Sequence, residues 1–410
     1  MMSPQNLAVG AAAVGLAGRE GEILRRVLLA SAVLVAALCL LARPLSIYPA
    51  FHTGSAGQVL LSDPRRRTAR YLEIATTAGV TGRYGPLDQD VAAPLAEGMA
   101  SGLLGLTPMA NGYIWDVLQR TDRHSRHGIR KMAISAVDNA LWDLRGRLLG
   151  VPVWQLLGGA GRTHIPAYAS THGTFHSDGE VERTAEELLD EGYTAQKWFF
   201  GDGPAQGPEG MERNIALVER TRSAVGFRSA LMFDAFMSWD LPYARAWCAR
   251  VEHLRPDWLE EPFPAAAVPS FAQLRSSTTI PLAAGEHLYD RYDLLPFLRK
   301  GLLSVVQVDP EWCGGVTEVV RMCAMAEPFG VQVFPHGHGI HAALHIVASQ
   351  SPQLCPSVEY LYRFTPEKHY FEVEAPVPKG GVIPLPTRPG FGIEMDEDRV
   401  ETDKEVFAFS

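Results

Sequence analysis

The regular alternation of apolar runs with amphipathic stretches is the sequence feature that most constrains the fold of this chain. From about residue 160, a short apolar run rich in β-branched and aromatic residues recurs every 23 to 36 residues, and a polar residue and then an amphipathic stretch follow it. The amphipathic stretches carry apolar residues three and four positions apart, as helices that cover a sheet do. The predicted helices include 180–191, 211–224, 243–254 and 316–326. The predicted strands are 164–170, 194–200, 230–236, 258–263, 281–286, 304–310, 331–337 and 357–361.

Eight strands that alternate with helices predict an α/β fold with a parallel sheet, and eight strands are the number that closes a (β/α)8-type barrel. The runs are apolar almost throughout because both faces of such strands are buried. The segments before and after the barrel are typical of α+β structure. We therefore predict a catalytic barrel over 161–371, a capping domain built from 43–160 together with 372–410, and a separate apolar segment over 1–42.

Composition excludes several classes of protein. The chain has 410 residues, of which 47% are hydrophobic and 20% charged, which excludes intrinsic disorder and a coiled coil. A net charge of −9 disfavours nucleic acid as a partner. The five cysteines form no CxxC pair, so they indicate neither a disulfide framework nor a zinc site, and we expect a cytoplasmic protein.

An apolar run near the N-terminus leaves an alternative open. Residues 27–42 are apolar, follow Arg25-Arg26 and end at Arg43. The run is short for a membrane span, which needs about 20 residues. Its basic flank resembles a signal peptide, but a small-x-small cleavage site is missing. We expect no membrane partner, and the alternatives to export are a buried strand or helix, or a start codon assigned too early.

Acidic residues stand where three successive predicted strands end. Asp234, Glu260 and Glu286 are spaced 26 residues apart each time, and the ends of barrel strands converge on one face. Three ionised carboxylates at one mouth repel one another unless a cation neutralises them, and a set of oxygen ligands suits Mg²⁺ before Ca²⁺ or Mn²⁺. Glu260 and Glu261 compete for the middle position, since successive strand residues point to opposite faces.

A carboxylate and an imidazole occupy the ends of the sixth and seventh predicted strands. Asp309 beside His336 would fix the tautomer of the imidazole and raise its basicity, as a general base requires. Lys197 ends the second strand, where it either holds a substrate carboxylate or reaches to solvent. Three further histidines follow the base. Two of them are spaced like a metal pair without an evident third ligand, so we expect a structural role for His338, His341 and His345.

The order Lys, Asp, Glu, Glu, Asp, His, Glu on strands two to eight resembles the mandelate racemase and muconate lactonizing enzyme family of the enolase superfamily. Residues 133–158 resemble the signature helix of that family. The stretches 234–239, 285–287, 309–315, 335–337 and 389–392 resemble the acid-sugar dehydratases within it. The similarity begins near Arg43, and residues 1–42 do not resemble the usual first strand of the family.

This resemblance implies a modified (β/α)7β barrel, a homo-oligomer, a sugar-acid substrate and bound Mg²⁺. It implies Mg²⁺ ligands at Asp234, Glu260 and Glu286, and a base at His336 with Asp309 as its partner. It further implies that Glu359 stabilises an enediolate, that Lys197 lies beside the substrate carboxylate, and that His287 contacts the substrate.

Two departures from the family pattern bear on the reaction. The second lysine of a Lys-x-Lys motif, the opposing base of racemases, is Phe199 here, and a frequent Asn is Phe236. Loss of the second base favours dehydration. A racemase, epimerase or cycloisomerase is the alternative within the family and would need another base, with His287 or Tyr289 as candidates. A barrel with a purely structural metal is the other alternative, and it leaves the Asp309–His336 pair without a use.

Overall fold

The computed structural model describes residues 35–53, 59–172, 179–400 and 404–409, and for 35–53, 59–68 and 404–409 it describes the backbone. Its strands are β1 (Val35–Thr53), β2 (Val59–Thr76), β3 (Thr81–Tyr84), β4 (His164–Ser170), β5 (Ala195–Phe199), β6 (Ala230–Asp234), β7 (Trp258–Glu260), β8 (Leu282–Ala284), β9 (Val305–Val306), β10 (Gln332–Val333), β11 (Val358–Leu361), β12 (Val382–Pro384) and β13 (Lys404–Phe409).

Helices alternate with the strands from β4 onward. The α-helices are α1 (Gln89–Pro94), α2 (Asn111–Thr121), α3 (Gly128–Leu149), α4 (Val153–Leu156), α5 (Glu180–Asp190), α6 (Gly207–Val225), α7 (Leu241–Val251), α8 (Val268–Arg275), α9 (Arg291–Arg299), α10 (Gly315–Ala326), α11 (Ile340–Ser349) and α12 (Phe364–Lys368). The helices predicted over 180–191, 211–224, 243–254 and 316–326 correspond to α5, α6, α7 and α10.

Strands β4 to β11 form a curled parallel sheet in the order β10-β9-β8-β7-β6-β5-β4-β11. The backbone N–H of Glu359 in β11 donates to the carbonyl of Pro335 just after β10, at 3.3 Å, across the remaining gap. The predicted α/β barrel is therefore confirmed. Its strands are shorter than predicted, as in β9, although the pairing continues as single hydrogen bonds toward the mouth, where the backbone N–H of His336 donates to the carbonyl of Val308 at 3.1 Å.

A four-stranded antiparallel sheet of order β13-β1-β2-β3 lies outside the barrel and joins the two ends of the chain. The predicted domain limits at 160/161 and 371/372 stay a prediction. Of the apolar run 27–42, the backbone of 35–42 belongs to β1, and the rest lies outside the described residues. Among the helices described, none combines the length and apolar character that crossing a membrane requires.

Helix α3 docks the first part of the chain on the barrel through polar side chains. Asp138 and Asn139 accept hydrogen bonds from the backbone N–H groups of Thr317 (2.9 Å) and Val316 (3.0 Å) in the first turn of α10. These N–H groups have no partner within their own helix, so the two side chains cap it from outside. Burial raises the pKa of Asp138 to about 7, even though the Thr317 hydroxyl and N–H favour its charged form.

Candidate active site

The ends of the barrel strands bring the predicted site residues to one face. Asp234 and Glu260 are the last residues of β6 and β7, and Glu286 follows β8 by two residues. Gly285 allows this turn, because it has a φ of 152° and a Cβ there would lie 2.6 Å from the backbone nitrogen of Gln307. The residues at this mouth are at most 8% exposed and include Lys197, Asp234, Glu260, Glu286, Asp309, His336 and Glu359.

Lys197 lies at the centre of the carboxylates. Its Nζ is 2.7 Å from Oε1 of Glu260, 2.7 Å from Oε1 of Glu359 and 3.4 Å from Oδ2 of Asp234. Burial lowers the pKa of this ammonium group, but the surrounding carboxylates outweigh burial and hold the pKa well above its usual value. Lys197 is thus a fully buried cation, and the alternative of a side chain that reaches to solvent is wrong.

The structure distinguishes the two neighbouring glutamates. Glu260 stands beside Asp234 in the β6–β7 register and accepts hydrogen bonds from Gln307 Nε2 (2.7 Å) and Trp258 Nε1 (3.2 Å). Glu261 has a φ of 33°, and its Oε2 lies 2.8 Å from His287 Nδ1 instead. Burial, and then the charge of Glu260, raises the pKa of Asp234 well above its usual value. Glu260 is therefore the glutamate that shares a crowded carboxylate pocket with Asp234.

His336 and Asp309 form a directed pair. His336 Nδ1 lies 2.7 Å from Asp309 Oδ2, while the other oxygen, Oδ1, accepts from the backbone N–H of Glu311 at 2.6 Å. An aspartate in this position holds the proton on Nδ1 and leaves Nε2 as the reactive nitrogen. Nε2 points into the mouth, 3.0 Å from Glu286 Oε2 and 3.9 Å from Glu359 Oε2.

The charges around His336 set its protonation and that of its neighbours. Burial lowers the pKa of His336, but Glu286, Glu359 and Asp309 raise it well above the usual value. Burial raises the pKa of Glu359, but Lys197 and His336 bring it below the usual value. The backbone N–H of Gly337 also donates to Glu359 Oε2 at 3.2 Å. Glu359 is consequently an ionised carboxylate between a lysine and an imidazole.

His287 lies at the edge of the mouth. Its Nδ1 is 2.8 Å from Glu261 Oε2 and 3.4 Å from Glu286 Oε1. Burial lowers the pKa of His287, but the hydrogen bond to Glu261 and the charges of Glu261 and Glu286 together outweigh burial, so the net shift is upward. Glu261, Glu286 and His287 also lie close enough to hold a metal ion in their own right.

Sequence reasoning missed two aromatic features of the mouth. His172, just after β4, stacks on Phe236 with a centroid distance of 5.6 Å and an angle of 7°, and its edge meets Phe199 at 5.2 Å. We call His172, Phe199 and Phe236 the aromatic wall. Burial, followed by the charge of His336, lowers the pKa of His172 to about 4, so the imidazole is neutral. Trp312 packs between His336 (4.9 Å) and His287 (5.8 Å). The available signal was position, since His172 follows β4 by two residues and Trp312 follows the predicted strand 304–310 by two.

The two halves of the chain match two family models. A model described as mandelate racemase / muconate lactonizing enzyme, N-terminal domain, matches residues 62–158. A model described as enolase C-terminal domain-like matches residues 180–399, which is more than half of the chain. These ranges contain the outer sheet strands β2 and β3, the docking helix α3 and, except for β4, the strands of the barrel.

Named relatives agree with these matches. A putative L-rhamnonate dehydratase of Caldivirga maquilingensis is 35% identical over 292 residues, which are 69% of this chain and 70% of the relative. A D-galactonate dehydratase of Variovorax paradoxus is 30% identical over 348 residues, 80% of this chain and 89% of the relative. Among solved structures, rhamnonate dehydratase from Gibberella zeae complexed with Mg is 26% identical, has a TM-score of 0.74 and covers 81% of each chain. This chain belongs to the mandelate racemase and muconate lactonizing enzyme family of the enolase superfamily.

Proposed function

We propose that this protein is a Mg²⁺-dependent acid-sugar dehydratase. It removes the proton α to a carboxylate and eliminates the β-hydroxyl to give a 2-keto-3-deoxy sugar acid. One observation carries the proposal: Nε2 of His336, oriented by Asp309, lies 3.0 Å from the buried carboxylate of Glu286. Phe199, which packs against His172 and Phe236, occupies the position at which racemases of the family carry a second base. The names of the relatives, rhamnonate and galactonate dehydratase, support this reaction class.

The donor set fits a hard divalent cation. Asp234, Glu260 and Glu286 are buried carboxylates on three adjacent strands, and Asp234 and Glu260 have raised pKa values because they are desolvated and close to other carboxylates. A divalent ion relieves that repulsion, and oxygen-only ligands select Mg²⁺ over softer metals. Bound there, Mg²⁺ would polarise the substrate carboxylate and stabilise negative charge that develops on it.

A cation held by Glu286 would offset the charge that raises the pKa of His336, and the neutral imidazole then takes the α-proton on Nε2. Asp309 keeps Nδ1 protonated and stabilises the imidazolium that results, which is the usual task of a carboxylate behind a catalytic histidine. The protonated His336 then donates its proton to the departing β-hydroxyl, which leaves as water. The same imidazole is regenerated, and the enol that remains becomes the 2-keto acid when its O2 proton is lost and C3 takes up a proton.

Lys197, Glu359 and His287 hold the substrate. Lys197 already carries a positive charge among the carboxylates and supplies an attractive partner for the carboxylate of the sugar acid. Glu359 lies between Lys197 and Nε2 of His336, where it contacts the enediolate as charge develops. His287 is fixed by Glu261 and offers a polar contact at the rim.

A racemase or epimerase is the second candidate, and His172 is the observation that favours it. This imidazole belongs to the aromatic wall, across the mouth from Asp309, and was not among the candidate bases found in the sequence. A pKa of about 4 makes it a weak proton acceptor at neutral pH. Tyr289 has a pKa raised by burial and remains protonated, and His287 is bound to Glu261. Dehydration therefore remains the better-supported reaction.

Proton NMR in D₂O tests the proposal. The Mg²⁺-loaded protein is incubated with a library of sugar acids that includes L-rhamnonate and D-galactonate. Dehydration appears as loss of the C2 proton signal and a new signal from C3, and it stops when EDTA removes the metal. Deuterium exchange at C2 without a keto acid would shift the function to racemase or epimerase. No exchange and no product in the presence of bound Mg²⁺ would contradict both reactions for the acids in the library.

The finer expectations on assembly and location belong to this proposal. We expect a cytoplasmic homo-oligomer, because cysteines 248, 313, 323 and 355 are free and buried and the family tends to assemble. Light scattering on the purified full-length chain measures the oligomeric state. Fractionation of expressing cells measures the location, and recovery from the extracellular fraction would favour export through the N-terminal run.

A further inference from the structure

A second buried cluster of ligand-type side chains lies away from the barrel mouth. His341 is in the first turn of α11, and His369 and Glu372 follow α12. Glu372 Oε2 lies 2.6 Å from His341 Nε2, and Glu372 Oε1 lies 2.8 Å from His369 Nδ1. The three side chains are at most 5% exposed. Two imidazoles thus converge on one carboxylate in the interior.

The cluster joins three separate parts of the chain. The hydroxyl of Tyr71, on β2 of the outer sheet, donates to Glu372 Oε1 at 3.2 Å. The rings of His341 and His369 are nearly perpendicular, at 88°, with centroids 4.7 Å apart. An outer strand, a barrel helix and the C-terminal segment therefore meet at four polar side chains.

We propose that His341, His369 and Glu372 form a structural site for a transition-metal ion of the Zn²⁺ type. Their ligand atoms lie within 4.8 Å of one another. In a tetrahedral site with bonds of about 2.0–2.1 Å, ligand atoms are separated by roughly 3.4 Å. The contacts of 2.6 and 2.8 Å between Glu372 and the two imidazoles must therefore lengthen by about 0.6–0.8 Å, and the two ligating nitrogens must come to about the same separation of 3.4 Å. The fourth position goes to a water molecule or the Tyr71 hydroxyl.

The chemistry of the donors distinguishes this site from the mouth. Two imidazole nitrogens with one carboxylate suit Zn²⁺, whereas the carboxylates at the mouth suit Mg²⁺. The ion would bind Nδ1 of His369 and Nε2 of His341, so each neutral imidazole carries its proton on its other ring nitrogen when the ion is bound. Burial lowers the pKa of His369 to about 4, so its imidazole is already in the neutral form that a metal requires.

A route to the cluster also exists. His341 lines a cavity of about 560 Å³ between α11 and the C-terminal segment, and Glu374 and Lys379 line it as well. Such a volume admits a hydrated ion. His345, four residues after His341 on α11, has a different partner: its Nδ1 accepts from the backbone N–H of Trp154 at 3.0 Å.

Metal titration of the full-length protein tests the site. The protein is stripped with a chelator, supplied with excess Mg²⁺ to occupy the mouth, and titrated with Zn²⁺ against a chromophoric chelator. We expect one tightly bound Zn²⁺ per chain and a Co²⁺ derivative with the absorption bands of nitrogen-ligated cobalt. His369→Gln and Glu372→Gln should each abolish the binding of this Zn²⁺ ion.

Matched variants locate the ion. His345→Gln changes a buried histidine of the same helix that lies outside the cluster, and this variant should still bind one Zn²⁺ per chain. Glu286→Gln changes the mouth and should also still bind one Zn²⁺ per chain. Binding that survives His369→Gln, or that is lost only in Glu286→Gln, would overturn the proposal.

A measurement on the unaltered protein covers variants that fail to fold. Crystals soaked in Zn²⁺ and excess Mg²⁺ should give an anomalous peak at the zinc edge between His341 and Glu372. A peak at the mouth alone, or none, would overturn the proposal and leave the cluster as a carboxylate held by hydrogen bonds.

Discussion

The two sides of the barrel mouth are built from the same kind of parallel strand and differ in chemistry. In the ring of strands, β6 lies four places from β10, so the two stand opposite each other. The β9–β10 side presents the Asp309–His336 pair, with Nδ1 and Oδ2 2.7 Å apart. The β5–β6 side presents the aromatic wall above Lys197. The difference teaches that fold places residues at the mouth, while the residue type at each strand end assigns proton transfer to one side.

The same comparison applies to charge. Asp309 has backbone N–H donors on both oxygens, from Glu311 (2.6 Å) and Gly339 (3.3 Å), so its charge is used to hold His336. Asp234 has the backbone N–H of Phe236 at 2.8 Å on one oxygen, and its pKa is strongly raised by burial and by Glu260. The charge of Asp309 is therefore balanced by hydrogen bonds from the protein itself. The carboxylate of Asp234 lacks this balance, as expected of a group that binds a cation.

The largest loss of activity should come from a change on the β9–β10 side of the mouth, which carries the Asp309–His336 pair. His336→Asn removes the proposed base, and we expect turnover to fall by roughly 10³- to 10⁴-fold, toward the upper limit for general acid–base catalysis. Mg²⁺ affinity, measured by calorimetry, should change little. The control is His338→Asn, which alters an imidazole stacked on His336 at 5.3 Å. A His336→Asn protein that exchanges the C2 proton at the parent rate would show that the base lies elsewhere.

The carboxylates should show the next effect, on metal binding. Glu286→Gln removes one anionic ligand, and we expect Mg²⁺ affinity to fall by about 10²-fold, since losses of 10–100-fold already follow from changes around a metal ligand. The matched control is Glu261→Gln, whose carboxylate is bound to His287. Equal losses in the two variants would contradict the assignment of Glu260 rather than Glu261 to the metal site.

A smaller loss of rate should follow Asp309→Asn. The amide no longer stabilises the imidazolium, and we expect kcat to fall by about 10- to 100-fold while Mg²⁺ affinity stays unchanged. Glu311→Gln is the control two residues away, because Glu311 contacts Lys368 Nζ at 2.6 Å rather than His336. A loss in KM alone would mean that Asp309 acts in binding and not through the base.

The smallest effect should be a gain on the aromatic side. Phe199→Lys places an amine where racemases of the family carry a base, and we expect a few per cent of C2-epimerised acid beside the normal product. Chiral chromatography of the recovered substrate measures it, with Phe199→Met as the control. Epimerisation by the parent protein that disappears in His172→Ala would assign the second base to His172.

Local pattern made much of this predictable. The recurrence of apolar runs fixes the number of barrel strands, because each strand needs both faces buried. The convergence of parallel strand ends then places Asp234, Glu286 and His336 together without further information. His172 and Trp312 escaped prediction, because a single aromatic residue after a strand resembles a core residue until its neighbours are known.

The sequence by itself determined the architecture and the ionisable groups at the mouth, because both follow from residue type and periodicity along the chain. Only the tertiary structure decided between Glu260 and Glu261, since a φ of 33° at Glu261 turns that side chain toward His287. It also decided the partners of His341, because His369 and Glu372 approach it through long-range packing of the C-terminal segment. Contacts between residues distant in the chain depend on how whole elements pack, and no local spacing records that.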